Sequence, residues 1–479
     1  MADEQIKQEQ IELGKIEEIE ENVIEEERPL EIPDKADIRP VAQNRGDDIV
    51  EEALKFNQRY DQISSNITSQ LTKLIQTVAT ESNIDPIIKN SLIIEPKFHL
   101  GEIRKGWAET ILLEGAVDFY IGKFPLGIFP KEGGKKEKLD FFVKSFPNSN
   151  NEHLQLNSTP LEREYRLYEL MEGSGVVPHA YYWEELDNNL ILQHGGKMSA
   201  EDKLAELTRK RKTAERINLE DRITKVIAKF NKHAALKTPE ALQDEIIGPW
   251  LKIKKPSIEK AIRYFRKYME LRGADVSEEM IKEFAENFHV VVEMCNGTGV
   301  QLVHGDLRGQ NIVGPADKEW TEDNIKIVDL GGMGLGNPIA SLSQFATSAG
   351  SVANYDRWND QIINYMTYEA ALSGIGGGRG IRFLRDRQID ANKKFYFSTI
   401  YDSARGLYKM AELRKEHPDE YEMLNHYRPV LQSHDKDMRR NVRRALDYIV
   451  KNPDDFDLED QDRKRVEKVI EIFKKIRKK

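Results

Sequence analysis

The sequence has a single cysteine, Cys295, so no disulfide can close within the chain. That suits a reducing compartment. Cys295 ends the apolar run VVVEMC, which reads as a buried, inert thiol rather than a reactive one. There is no run of about 18 apolar residues, so no membrane span is expected. The first residues lack the apolar core of a secretory signal, and the expected location is cytoplasmic. A broad basic field is also missing. The net charge is −10, and residues 1–30 alone hold eleven acidic and three basic residues, which leaves −2 for the remainder. Nucleic acid is therefore not an expected partner. No G-x-x-x-x-G-K-[ST] occurs, which excludes a P-loop enzyme. No His/Cys group has the spacing of a zinc site.

What is present is charged and still rich enough in apolar residues to fold. With 479 residues, 32% charged and 39% hydrophobic, the chain can bury the cores of two to four domains or lobes. Residues 1–47 are acidic, Gln-rich and poor in aromatics. They read as a disordered, solvated tail, with docking to a basic protein partner as the alternative. From 48 to 81, Ala53, Phe56, Tyr60, Ile63, Ile67, Leu71, Leu74 and Val78 recur every three or four residues. That spacing predicts a long amphipathic helix within a helical extension over 48–95, packed on the body of the chain or paired with a partner helix.

From about 96 the pattern changes to strands. AETILLEGAVDFYIGKFPLGIF alternates, with Gly115 and Gly122 as breaks. EKLDFFVKSF is a second strand run, and PKEGGKKEK between them reads as a hairpin tip. STPLEREYRLYELMEGSG reads as a helix, and HAYYWEELDNNLILQHGG as two strands. From 199 to 298 the pattern is helical, punctuated by Pro239, Pro249, Pro256 and Gly273. Beyond 340 it is helical again, apart from the connector SGIGGGRG at 373–380. The expected order is a β-rich lobe over 96–195 followed by a helical lobe over 196–479, an α+β architecture.

The chemistry concentrates in residues 300–342. Asp306 follows the apolar strand Gln301–Val303 and opens a polar loop. Asn311 comes five residues later, where another strand starts, and Asp329 ends the strand Ile325–Val328. Three oxygen-bearing side chains on one loop-rich edge suit a hard cation such as Mg²⁺. A carboxylate outside the cation shell can orient a hydroxyl and take its proton. His417-Pro418-Asp419 also offers H-x-D, but it lacks flanking strands and a following D-x-G, so it reads as a solvated helix end.

HGDLRGQN at 304–311 resembles the H-x-D-x-x-x-x-N catalytic loop of the protein-kinase-like superfamily, and DLG at 329–331 resembles its metal-binding D-F-G. Gly305 and the later Gly336-Asn337-Pro338 make the stretch most similar to the aminoglycoside phosphotransferase and choline kinase branch. The resemblance implies a two-lobed kinase-like fold and the cofactors ATP and Mg²⁺. It implies Asp306 as catalytic base, Asn311 and Asp329 as metal ligands, and a structural His304. Arg308 would touch the transferred phosphate. It also asks for a strand lysine held by a helix glutamate. Lys144 in FFVKSF and Glu164, twenty residues on, supply that pair, with Glu162 the runner-up. Gly115 would cover phosphate at a turn. LILQHGG would join the lobes, with Leu192 at the back of the adenine pocket and Gln193 to Gly195 as the linker.

The chain departs from the branch at Asn337 and Ser341, where relatives carry acids that brace the catalytic loop. No A-P-E-like motif follows DLG, and Gly305 replaces the Arg that answers to a phosphorylated activation loop. Both argue against a conventional regulated protein kinase. The expected function is transfer of the γ-phosphate of ATP to a hydroxyl of a small molecule. An atypical protein kinase and a pseudokinase scaffold are the alternatives.

Overall fold

The alternation in LDFFVKS folds as a strand whose two faces meet different surroundings. Phe141 and Val143 are buried on one face, while Lys144 looks out from the other. In the computed structural model this strand is the centre of a five-stranded antiparallel sheet. The structure describes residues 97–105, 111–121, 135–145, 160–184, 189–251, 257–271, 277–296, 300–348, 357–374, 377–416 and 431–475. The expected tail, the helix at 48–81 and the H-x-D at 417 lie outside them. By its contacts the chain divides into units 1–66 and 67–479, and the described residues all belong to the second.

The sheet is built from β1 (Lys97–Lys105), β2 (Ile111–Ile121), β3 (Lys135–Ser145), β4 (Ala180–Glu184) and β5 (Asn189–Gln193). Their order is β1-β2-β3-β5-β4. Between β3 and β4 runs helix α1 (Pro160–Met171), which buries Leu161, Leu167, Tyr168 and Met171. The Arg163 guanidinium of α1 lies over the Trp250 ring, 5.0 Å from its centroid.

Two readings of the β region need correction. Gly115 is not at a turn: β2 runs unbroken through it, and Gly115 pairs with Leu100 on one side and Phe141 on the other. The connection between the first two strands is 106–110, outside the described residues. Likewise Lys135 to Lys138 are not a hairpin tip but the start of β3, paired with Ile121 to Asp118.

The helical part begins with the short β6 (Met198–Ser199), then α2 (Ala200–Arg209), α3 (Thr213–Gln243), α4 (Ile258–Leu271) and α5 (Glu278–Asn296). The Ser199 side chain caps α2 by accepting from the Asp202 amide at 3.1 Å. Pro239 does not end its helix, because α3 continues through it for a further turn. The neighbouring Thr238 hydroxyl donates to the Ala234 carbonyl and accepts the Leu302 amide at 3.0 Å, so this turn is tied to the strand beside it.

The central segment supplies β7 (Gln301–Val303), β8 (Ile312–Gly314), β9 (Lys326–Ile327) and β10 (Gly334–Gly336). β7 pairs with β10, and β6, β8 and β9 form a three-stranded sheet. The remaining helices are α6 (Pro338–Ser348), α7 (Trp358–Leu372), α8 (Gly377–Glu416), α9 (Leu431–Lys451) and α10 (Asp460–Lys475). Helix α8 starts inside the glycine run, so the expected connector at 373–380 is shorter than its sequence suggests. Ile223, Ile227, Phe230, Phe288, Leu302, Leu342 and Ile400 are all fully buried in one continuous core. Among the described residues no helix is long and apolar enough to cross a membrane. Cys295 is buried in α5, and burial, with the Asp402 charge nearby, holds its thiol well above the ordinary range.

Candidate active site

The strand lysine, the helix glutamate and the DLG aspartate converge. Lys144 Nζ donates to Glu164 Oε2 at 2.7 Å and to Asp329 Oδ1 at 2.9 Å. Glu164, not Glu162, faces the lysine, since two residues along a helix is a different face. The Glu164 side chain is 3% exposed. Burial pushes its carboxyl up, an effect that the Lys144 ammonium and the Gly331 amide oppose. Burial alone would pull Lys144 down, but the two carboxylates outweigh it and hold the ammonium above its ordinary range. Asp329 lies below its ordinary range, because Lys144 more than offsets the partial desolvation of its half-exposed carboxyl.

Asp329 also occupies a left-handed backbone conformation, φ 64° and ψ 58°. A non-glycine residue there costs on the order of 1–3 kcal/mol and persists only when its surroundings fix it. One fixing contact is explicit: the Asp329 amide donates to the Tyr168 hydroxyl at 2.9 Å. Tyr168 is fully buried on α1, one turn after Glu164. Burial, with the charges of Glu164 and Asp329, keeps its hydroxyl protonated far above neutral pH.

The loop of residues 304–311 is organised from within. His304 is fully buried, and its Nε2 lies 2.9 Å from the Val328 carbonyl, while its Nδ1 accepts the Asp306 amide at 3.4 Å. With the proton on Nε2, one ring joins the loop to the strand before Asp329. Gly305 has φ +77°, which explains a glycine between His304 and Asp306. Asn311 Nδ2 donates to the Asp306 carbonyl at 2.8 Å, so its amide oxygen is the atom left for a cation. The Asp306 side chain is 47% exposed, and Arg308 Nε folds back onto its Oδ1 at 2.7 Å.

The linker residues separate in role. Leu192 is buried beside Phe142, its cross-strand neighbour, on the Lys144 face of the sheet. Gln193 turns its amide to the His179 carbonyl at 2.7 Å and accepts the His179 amide on its side-chain oxygen at 3.3 Å. Those groups hold the linker to the sheet. Gly195 lies against β8 and the residue after β9: a Cβ there would sit 2.9 Å from Val313 and 3.3 Å from Val328. Gly115, within β2, is not brought to this site by any described contact.

The sequence reading missed what braces the loop. Neither Asn337 nor Ser341 does so: Asn337 caps α6 through the Ile339 amide, and the Ser341 hydroxyl is buried with no hydrogen-bond partner. Gln344 does. Its Oε1 accepts the Leu307 amide at 2.9 Å, and its Nε2 donates to the Gly305 carbonyl at 3.4 Å. One turn on, the Ser348 hydroxyl accepts the Gly309 amide at 2.9 Å. No local signal marked them, because Ser341, Ser343 and Thr347 make the helix polar at other positions too.

No protein-family model matches the sequence, and no curated protein does. Among solved structures the chain is similar to an ethanolamine kinase of Plasmodium vivax, at 13% identity and a TM-score of 0.41, over 76% of this chain and 84% of that one. It is similar to a choline/ethanolamine kinase family protein from Mesorhizobium loti, at 11% identity and a TM-score of 0.38, over 83% of this chain and 99% of that one. It is also similar to an aminoglycoside 2'-phosphotransferase-IIIa solved as its GDP complex, at 16% identity and a TM-score of 0.41, over 78% of this chain and 98% of that one. At these identities the residues of the site, not the likeness, must carry a functional reading.

Proposed function

We propose that the chain is an ATP- and Mg²⁺-dependent phosphotransferase that moves the γ-phosphate to a hydroxyl of a small molecule. One observation carries this: Lys144, fixed by a buried carboxylate, meets Asp329 at 2.9 Å next to the loop that bears Asp306 and Asn311.

The residues fit the group. Among the described residues no three His, Cys, Asp or Glu side chains cluster as a metal cage. Asp329, half exposed, and the free oxygen of Asn311 instead offer what Mg²⁺ takes from a protein when phosphate oxygens and water complete its shell. Bound ATP·Mg²⁺ supplies the phosphoryl group and neutralises charge on it. Lys144 would hold the α- and β-phosphates, and Glu164 holds Lys144. Phe142 and Leu192, on the same face as Lys144, offer apolar surface to a purine ring. Asp306 orients the acceptor hydroxyl and takes its proton, which contributes about 10²–10⁴-fold. Arg308 holds only Oδ1 of Asp306, which leaves Oδ2 for the hydroxyl, and the guanidinium beside the base would meet the transferred phosphate.

The test is phosphate transfer from ATP by the purified full chain to a panel of amino alcohols, aminoglycosides and sugars, beside Asp306→Asn. Acceptor-dependent turnover that Asp306→Asn abolishes supports the reading. No turnover with any acceptor and no ATP·Mg²⁺-induced rise in melting temperature would overturn it.

A further inference from the structure

The brace on the catalytic loop ends on a carboxylate that the mechanism above does not use. Asp402 lies on α8, and its Oδ2 accepts Gln344 Nε2 at 3.5 Å. Gln344 touches Gly305 and Leu307, the two residues that flank Asp306. One side chain therefore holds the backbone on both sides of the base.

That grip works in only one orientation of the amide. With Oε1 toward the Leu307 amide and Nε2 toward the Gly305 carbonyl, both contacts are donor to acceptor. Flipped, both become like against like, oxygen facing oxygen and N–H facing N–H. An ionised carboxylate accepts only, so Asp402 behind Nε2 favours the gripping orientation further. The charged and titratable groups around Asp402 are Asp306 and Arg308 on the loop, Tyr401 and Arg405 on its own helix and Cys295 on α5. Asp402 therefore also places a second negative charge within reach of Arg308, the group that covers Asp306.

We propose that Asp402 is a positioning residue for Asp306, acting through the Gln344 amide on the backbone either side of the base. This rests on the phosphotransferase reading. Asp402 need not meet nucleotide or acceptor, so its loss slows the chemical step without weakening nucleotide binding. Asparagine at 402 keeps an acceptor for Gln344 and loses only the charge, whereas alanine loses both.

The experiment compares Asp402→Ala, Asp402→Asn, Gln344→Leu and the double variant Asp402→Ala/Gln344→Leu. Expected for Asp402→Ala is a fall in kcat of about tenfold or more with the KM for ATP unchanged. Asp402→Asn should retain more activity, and the double variant should be no worse than Gln344→Leu alone, because the two residues act in series. Amide exchange over residues 304–311 should rise in Asp402→Ala as it does in Gln344→Leu. Active wild type with kcat within twofold in Asp402→Ala, multiplying losses in the double variant, or unchanged loop exchange would each overturn the proposal. Wild type inactive with every acceptor is instead the failure of the parent reading, and the exchange measurement still decides the brace. If Asp402→Ala does not fold, Asp402→Asn and Gln344→Leu carry the same comparison.

Discussion

Lys144 and Glu164 meet at 2.7 Å where the carboxylate is almost cut off from water. The pair is asymmetric, because Lys144 has a second partner in Asp329 and Glu164 has no second lysine in this contact. Lys144→Met therefore leaves a buried, uncompensated carboxylate and should destabilise the fold by about 3–5 kcal/mol. Glu164→Gln leaves the ammonium on Asp329 and should cost less. Urea unfolding of both variants checks the order. A larger loss for Glu164→Gln would contradict the assignment.

Asp306→Asn should separate chemistry from folding. The side chain is half exposed, so stability should stay within about 0.5 kcal/mol. Turnover should fall by at least about 10²-fold. The melting-temperature rise given by ATP·Mg²⁺ should persist, since Lys144, Asn311 and Asp329 remain. Calorimetric titration with ATP·Mg²⁺ alongside the rate measurement checks both halves.

The Ser341 hydroxyl is buried with no hydrogen-bond partner. An unsatisfied buried hydroxyl costs about 1–3 kcal/mol, so Ser341→Ala should leave stability unchanged or raise it by about 1 kcal/mol. Activity should be unaffected, because Gln344 and Ser348 hold the loop. Gln344→Leu should lower activity. Equal losses in the two variants would return the brace to position 341.

Asp402 predicts a pH dependence of stability. Burial, the largest influence, pushes its carboxyl from an ordinary 3.8 up to about 6, against the pull of Arg405 and Gln344. A raised folded-state value means the native protein binds the proton more tightly than the unfolded chain. The resulting stability is fully present below pH 3.8 and is lost as pH rises through 6. Asp402→Asn should therefore stabilise the protein at pH 7.5 by roughly 2–3 kcal/mol and change little near pH 3.5. Thermal unfolding at the two pH values measures the difference.

The candidate site was legible where its parts lie close in sequence. His304, Asp306, Asn311 and Asp329 fall within 26 residues, and short apolar runs just before and between them mark β7, β8 and β9. Lys144 and Glu164 were legible because a lysine in an apolar strand needs a partner and a helix begins soon after it. Gly115 was misplaced because glycine breaks a strand only when the backbone must turn. Here both neighbouring strands pair across it, and strand pairing outweighs the residue's weak propensity. The brace was not legible at all. Gln344 lies 37 residues from Leu307 and Asp402 another 58 beyond it, and no local pattern encodes a contact that only the packing of α6 against α8 creates.

The bond from the Asp329 amide to Tyr168 ties two parts of the candidate site to one helix. Tyr168 and Glu164 are one turn apart on α1, so a single helix holds the backbone of Asp329 and the partner of the lysine together. Swinging α1 outward would strip Lys144 of Glu164 and, in the same motion, release Asp329 from its left-handed conformation. Cation affinity and phosphate affinity would then fall as one quantity. Inhibition that reaches this protein through α1 should show a single cooperative transition, with no intermediate that binds nucleotide but not the metal.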